Sequence, residues 1–147
     1  MKIFRGAFTA LITPMTEAGE VDYEGFRKIV QFQIKEGIDG ILPLGTTGEN
    51  PTLDENEEDL VIEIAVEEAN GKIPVIVGAG SNDTRNMIKY TERAKRLGAD
   101  AALVVTPYYN KPNNDGLIRH FEAASNVGIP IIVYNIASRT GLNIRYR

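Results

Sequence analysis

The stretch NGKIPVIVGAG, Asn70 to Gly80, sets a polar turn that ends in glycine directly against an apolar run, Ile73 to Val77, and then returns to glycine. A short apolar run with no polar alternation, bounded by turn signals, reads as a strand buried on both faces. The same grammar recurs in EGIDGILPLG (Glu36 to Gly45), LGADAALVVTP (Leu97 to Pro107) and VGIPIIVYN (Val127 to Asn135). The punctuating glycines, Gly37, Gly71, Gly98 and Gly128, recur about every 30 residues, which is the period of a βα unit.

Between the apolar runs lie segments with the pattern of amphipathic helices. Asp22 is a candidate N-cap for Tyr23 to Glu36, and Thr52 with Glu55 forms a candidate capping box for the stretch through Ala69. Asp83 or Thr84 can open the third helix and Asp115 the fourth, while each closing glycine suits the left-handed conformation just past a helix. The strands are expected near Phe8 to Ile12, Gly40 to Leu44, Pro74 to Val77, Ala101 to Val105 and Ile131 to Tyr134. The opening MKIFRGAFTALITP carries Arg5 inside its apolar run and has no small-residue cleavage site, so it reads as the first of these strands and not as a signal peptide. The result is an α/β fold with a parallel sheet and its helices packed outside, and residues 1 to 147 read as one domain.

Composition narrows the function. At 147 residues, 43% hydrophobic and 24% charged, the chain has an ordinary globular balance. A net charge of −4 argues against a nucleic-acid partner or an anionic membrane surface. No apolar stretch approaches the length that spans a bilayer. Cysteine is absent, which removes disulfides, thiolate nucleophiles and Cys-based metal sites and fits a reducing cytoplasm. The acidic run Glu55 to Asp59 opens a helix, where carboxylates suit the macrodipole, so it is not read as a metal site. His120, the single histidine, falls mid-helix in GLIRHFEAA and is assigned a surface or packing role.

Polar residues with chemical potential collect just after the strands, the edge at which parallel α/β sheets carry their sites. Gly45-Thr46-Thr47-Gly48-Glu49 is either a cradle for a small carboxylate, built from hydroxyls and exposed backbone N–H groups, or an ordinary glycine-framed turn. It lacks the lysine of a phosphate-binding loop, and GAGSND lacks the third glycine of a dinucleotide fingerprint. Tyr108, Tyr109 and Tyr134 end apolar strands beside hydroxyls, as proton-passing phenols or as rim residues with a wet tip. Arg139 is a bidentate carboxylate clamp or a surface ion pair.

Four motifs then stand in register: GAFTALITP, GTTGE (Gly45 to Glu49), VTPYYNKP (Val105 to Pro112) and YNIASRTG (Tyr134 to Gly141). Over almost the whole chain they resemble the dihydrodipicolinate synthase family, within the pyruvate-dependent class I aldolase superfamily that also includes N-acetylneuraminate lyase. The resemblance implies a (β/α)₈ TIM barrel in which a lysine forms a Schiff base with pyruvate and the enamine attacks aspartate semialdehyde, on the route to diaminopimelate and lysine. It implies no cofactor and no metal, only the covalent lysine–pyruvate imine, and a homo-oligomer of the cytoplasm. By the same resemblance Thr46, Tyr109 and Tyr134 form a proton relay, with Tyr109 reaching into a neighbouring subunit's site. Thr47 holds the pyruvate carboxylate, and Arg139 the carboxylate of the second substrate. Ala137 stands where the family usually has proline, which loosens the loop that carries Arg139.

The lysines of the chain are Lys2, Lys28, Lys35, Lys72, Lys89, Lys95 and Lys111, and none falls inside an apolar strand where desolvation could favour imine formation. The family places its Schiff-base lysine one βα unit beyond the YN-x-x-x-R-T-G motif, and a complete barrel takes about 250 residues. The chain is therefore expected to supply five strands and four helices of a barrel, its N-terminal part, without the Schiff-base lysine and without activity alone. The alternatives are an aldolase acting on sugar acids, of the N-acetylneuraminate lyase type, and a non-catalytic half-barrel that binds a small carboxylate or pairs with another chain.

Overall fold

The computed structural model describes residues 4 to 144. Five strands alternate with helices: β1 (Phe8–Ala10), α1 (Tyr23–Lys35), β2 (Gly40–Leu42), α2 (Glu55–Ala69), β3 (Ile76–Gly78), α3 (Thr84–Arg96), β4 (Ala101–Val105), α4 (Asn114–Ser125), β5 (Ile131–Tyr134) and α5 (Ala137–Thr140). Two short 3₁₀ turns, Thr46–Gly48 and Asn50–Thr52, join β2 to α2. The short α5 is an addition to the four helices expected.

Every strand pairing is parallel, β1 with β2, β3 with β4 and β4 with β5. Between β2 and β3 the regular ladder gives way to a single bridge, Ile41 to Val75. Proline explains the gap. Pro43 and Pro74 have no N–H to donate, and both serve instead as acceptors, from Gly78 N at 3.0 Å and Ile41 N at 3.1 Å respectively. The five strands thus follow one another in chain order. At Gly78 the two backbones come so close that a Cβ would lie 1.9 Å from the Leu44 carbonyl oxygen, which leaves glycine as the only residue that fits.

The helix boundaries follow local chemistry. Asp22 caps α1 by accepting from Gly25 N, and Asp83 caps α3 by accepting from Arg85 N. Two caps differ from the sequence expectation. The capping box of α2 is Asp54 with Glu57, because the chain between β2 and α2 is taken up by the second 3₁₀ turn, where Thr52 donates to the Glu49 carbonyl. Asn113, not Asp115, caps α4, and Asp115 lies in its first turn. Gly37, Gly71, Gly98 and Gly128 all have φ between 70° and 92°, as a helix-terminating position requires.

Burial divides into two apolar clusters. The larger joins α1 and α2 to β2 and β3 through Phe26, Val30, Ile41, Val61, Ile62 and Val77. The second joins α3 and α4 to β4 through Met87, Val104 and Ala124. Expected burial on both faces holds for β2, β3 and β4, but not for the outer strands. β1 is half-buried to exposed, Val133 of β5 is exposed, and Ile12 just beyond β1 is exposed, because a strand at the edge of a sheet has a neighbour on one side only.

His120 packs on the inner side of α4 and is only 3% exposed, which settles its role as packing and not surface. Its Nδ1 lies 2.8 Å from Thr84 Oγ1, and Nε2 has no partner among the described residues. Burial holds its pKa below the ordinary value of 6.5. The unfolded chain therefore takes up a proton that the folded chain resists. The stabilisation is present above the ordinary histidine pKa and is lost as the pH falls through the lower folded value. Urea unfolding should show stability declining between about pH 6.5 and 5, a range in which ordinary carboxylates titrate little. His120→Gln should flatten that slope; an unchanged slope would assign it to other groups.

Candidate active site

A cleft of about 280 Å³ opens at the carboxyl ends of the strands. Its walls come from the loop after β2 (Gly45, Thr46), the residues after β3 and β4 (Gly80, Tyr108), the end of β5 (Tyr134) and α5 (Arg139, Thr140). This volume suits a small acid. The wall after β2 is shaped by backbone strain, since Leu44 (φ 57°) and Glu49 (φ 54°) both adopt the left-handed conformation that L-residues seldom take. Hydrogen bonds hold the turn between them: Gly48 N donates to Gly45 O at 3.0 Å, Glu49 N to Thr46 O at 3.2 Å, and the buried Thr13 Oγ1 to Gly48 O at 2.8 Å. The amides of Thr46 and Thr47 precede the first of these internal donors. Like other first-turn N–H groups they remain available to an anion.

Thr46, Tyr134 and Arg139, far apart in sequence, line the same cleft. Thr47 is exposed in the same turn but is not part of the lining. Tyr109 also lies outside it and is 90% exposed, with φ 69°. Adjacent tyrosines that look equivalent in the sequence therefore separate. Tyr108 contributes to the wall, while the left-handed backbone at Tyr109 puts that ring in solvent. Among the described residues no hydrogen bond joins the Thr46, Tyr109 and Tyr134 hydroxyls to one another, and no carboxylate pairs with Arg139. Arg139 is thus a cation free to meet an acidic ligand at the rim.

None of the described lysines lines the cleft, and no group of three His, Cys, Asp or Glu side chains among the described residues could hold a metal ion. Among the described residues no helix is long and apolar enough to cross a membrane. Thr106 and Thr140, to which residue type alone gave no particular role, are buried and hydrogen-bonded to each other, and Thr140 is part of the cleft lining. The only local signal was in VTP, where Thr106 directly follows β4; Thr140, at the end of α5, carries none.

Successive parallel βα units, with a small-acid cleft where the strands end, make this a partial (β/α)₈ barrel. A model of the dihydrodipicolinate synthetase family matches residues 3–147, and the chain belongs to that family. It is 54% identical over 142 residues to the 4-hydroxy-tetrahydrodipicolinate synthase of Nitratidesulfovibrio vulgaris (strain Miyazaki F), covering 96% of this chain and 48% of that protein. Identity to the synthase of Protochlamydia amoebophila is also 54%, over 96% of this chain and 47% of that one. Among solved structures, the dihydrodipicolinate synthase of Aquifex aeolicus superposes with a TM-score of 0.92 at 51% identity, over 96% of this chain and 48% of that one. The Acinetobacter baumannii dihydrodipicolinate synthase complexed with pyruvate gives 0.92 at 45% identity, over 94% and 48%. The chain spans about half the length of the relatives it matches.

Proposed function

We propose that residues 1 to 147 form the N-terminal part of a 4-hydroxy-tetrahydrodipicolinate synthase, a cytoplasmic enzyme of lysine and diaminopimelate synthesis. The observation that carries this reading is the convergence of Thr46, Tyr134 and Arg139 on one acid-sized cleft in a chain of this family. Pyruvate sits with its carboxylate on the Thr46 and Thr47 amides. Its carbonyl condenses with a lysine from outside these residues, losing water to give an imine. Loss of a methyl proton gives the enamine, whose carbon bonds to the aldehyde carbon of aspartate semialdehyde. The aldehyde oxygen takes a proton, and attack of the substrate's amine on the imine carbon closes the ring and releases the lysine.

In this scheme Tyr134 and Thr46 pass protons, and Arg139 holds the carboxylate of the aldehyde. Tyr109, exposed on its loop, completes the relay in a neighbouring subunit, which makes the working enzyme a homo-oligomer.

Titration of the ¹⁵N-labelled chain with pyruvate tests the carboxylate cradle. The Thr46 and Thr47 amides should shift most, and borohydride reduction of the same mixture should leave no covalent adduct by mass spectrometry. Shifts confined to residues away from the cleft would overturn the cradle. A stoichiometric adduct on Lys111 or another lysine of this chain would overturn the assignment of the imine to an outside residue.

A further inference from the structure

The cation at the rim has no anchor of its own. Arg139 is exposed and lies in α5, a helix of four residues (Ala137–Thr140) whose N-cap, Ile136, provides no side-chain hydrogen bond. One turn of helix has no intrinsic stability in water, because nucleation costs more than its few backbone hydrogen bonds return, here from Arg139 N and Thr140 N to Ile136 O and from Gly141 N to Ala137 O. Ala137, unlike proline, leaves the entering backbone free to rotate. Something tertiary must hold this turn.

The buried hydroxyl next in sequence to Arg139 makes that tie. Thr140 is 5% exposed and Thr106, at the end of β4, is fully buried. Thr106 Oγ1 donates to Thr140 Oγ1 at 3.2 Å, and Leu142 N donates to the same oxygen at 3.3 Å. Thr140 Oγ1 has the Ile136 and Leu142 carbonyls as acceptors, each at 3.1 Å. A hydroxyl has one proton and two lone pairs, so this oxygen has its full complement of partners on both sides of Arg139. Thr106 is itself fixed to the sheet, its N–H donating to Tyr134 O at 3.0 Å. The chain Tyr134, Thr106, Thr140 thus runs from strand β5 to the turn that carries the guanidinium. The ties through Asn135, from its Nδ2 to Asn143 Oδ1 at 2.8 Å and from Ile144 N to its Oδ1 at 3.2 Å, are exposed, so water competes with them.

We infer that Thr140, held by Thr106, is a positioning residue for Arg139 and so sets recognition of the carboxylate-bearing aldehyde substrate. This inference rests on the proposed reaction for its substrate, but not for its geometry. Thr140→Val keeps the shape of the side chain and removes the hydroxyl; Thr140→Ser keeps the hydroxyl.

The experiment has two arms. In the labelled chain, ¹⁵N relaxation should show backbone order at residues 136 to 142 falling from about 0.85 to below about 0.6 in Thr140→Val, with Thr140→Ser near the parent value. In the assembled enzyme, Thr140→Val should raise the KM for aspartate semialdehyde roughly ten- to hundredfold, with KM for pyruvate within about twofold and kcat reduced far less. Thr106→Val should act in the same direction and substitutes for Thr140→Val if the latter fails to fold. Unchanged order at 136 to 142 in the valine variants would overturn the inference, as would an equal rise in both KM values or a serine variant no better than valine. Lack of turnover by the parent enzyme would instead refute the proposed reaction, and the relaxation arm would still decide the positioning role.

Discussion

Tyr134→Phe, introduced into the assembled enzyme, is expected to reduce kcat by about 10² to 10⁴ with little change in KM for pyruvate. A phenol that transfers protons acts during bond making, and general acid–base groups contribute factors of this size, equivalent to about 3 to 5 kcal/mol of barrier. The ring is half-buried at the end of β5 and lines the same cleft as Thr46. Loss of one oxygen leaves the ring and its packing in place, so the effect falls on the chemical step and not on the fold. Steady-state kinetics separates the two, since a structural fault would raise both KM values and lower thermal stability. A variant with parent-like kcat would remove Tyr134 from the relay and with it the reading of the cleft as a proton-transfer site.

The largest loss of stability is expected far from the cleft, at Arg93→Ala. Glu58 of α2 is 8% exposed and Arg93 of α3 is 6% exposed, and their side chains form a hydrogen-bonded ion pair between the helices. Arg93 Nε also lies 3.4 Å from Asp59, and the guanidinium sits 5.0 Å from the Tyr90 ring centroid. Burial pushes the Glu58 pKa up, and the bond from Arg93 pulls it back. Removal of Arg93 leaves a desolvated carboxylate without its partner, a change that costs about 3 to 5 kcal/mol at buried pairs. That is a large part of the roughly 5 to 15 kcal/mol by which domains are stable, and thermal unfolding should move down by roughly 10 °C or more. The double variant Glu58→Leu with Arg93→Met removes both charges and should recover most of the loss, because a buried pair contributes little over a well-packed apolar contact. A drop below about 1 kcal/mol for Arg93→Ala would show that the pair is solvated and behaves as a surface bridge.

Much of this architecture can be read along the chain because the forces that set it are local. Glycine ends a helix wherever the backbone must turn left-handed, an apolar run without alternation has nowhere to go but the inside of a parallel sheet, and an aspartate before a periodic stretch caps it. These rules found β4 (Ala101–Val105) and β5 (Ile131–Tyr134) at their observed limits. They misplaced the caps of α2 and α4, where neighbouring capping residues compete, Thr52 with Asp54 and Asp115 with Asn113, and only the path of the preceding loop selects between them. They overextended β1 and β2 and set β3 too early, at Pro74 to Val77 against the observed Ile76–Gly78, because strand ends depend on what lies alongside, and an apolar side chain such as Ile12 has the same signature whether or not a neighbouring strand is present.

The residues of the cleft divide in the same way. Motif and order along the chain marked Thr46, Thr47, Tyr109, Tyr134 and Arg139 as candidates, since hydroxyl, phenol and guanidinium groups behind strand ends are recognisable from residue type alone. Nothing local could tell Tyr108 from Tyr109, because their separation depends on a left-handed backbone at one residue. Nor could it join Thr106 to Thr140, which are 34 residues apart in sequence. Sequence alone therefore set the βα order, the parallel sheet and the chemical character of the strand ends, all consequences of short-range patterning. Which of those groups face a common space, which side chain is left in solvent, and which buried hydroxyls bond to each other behind the cleft were decided by tertiary packing, because each depends on distances between strands that no single segment encodes.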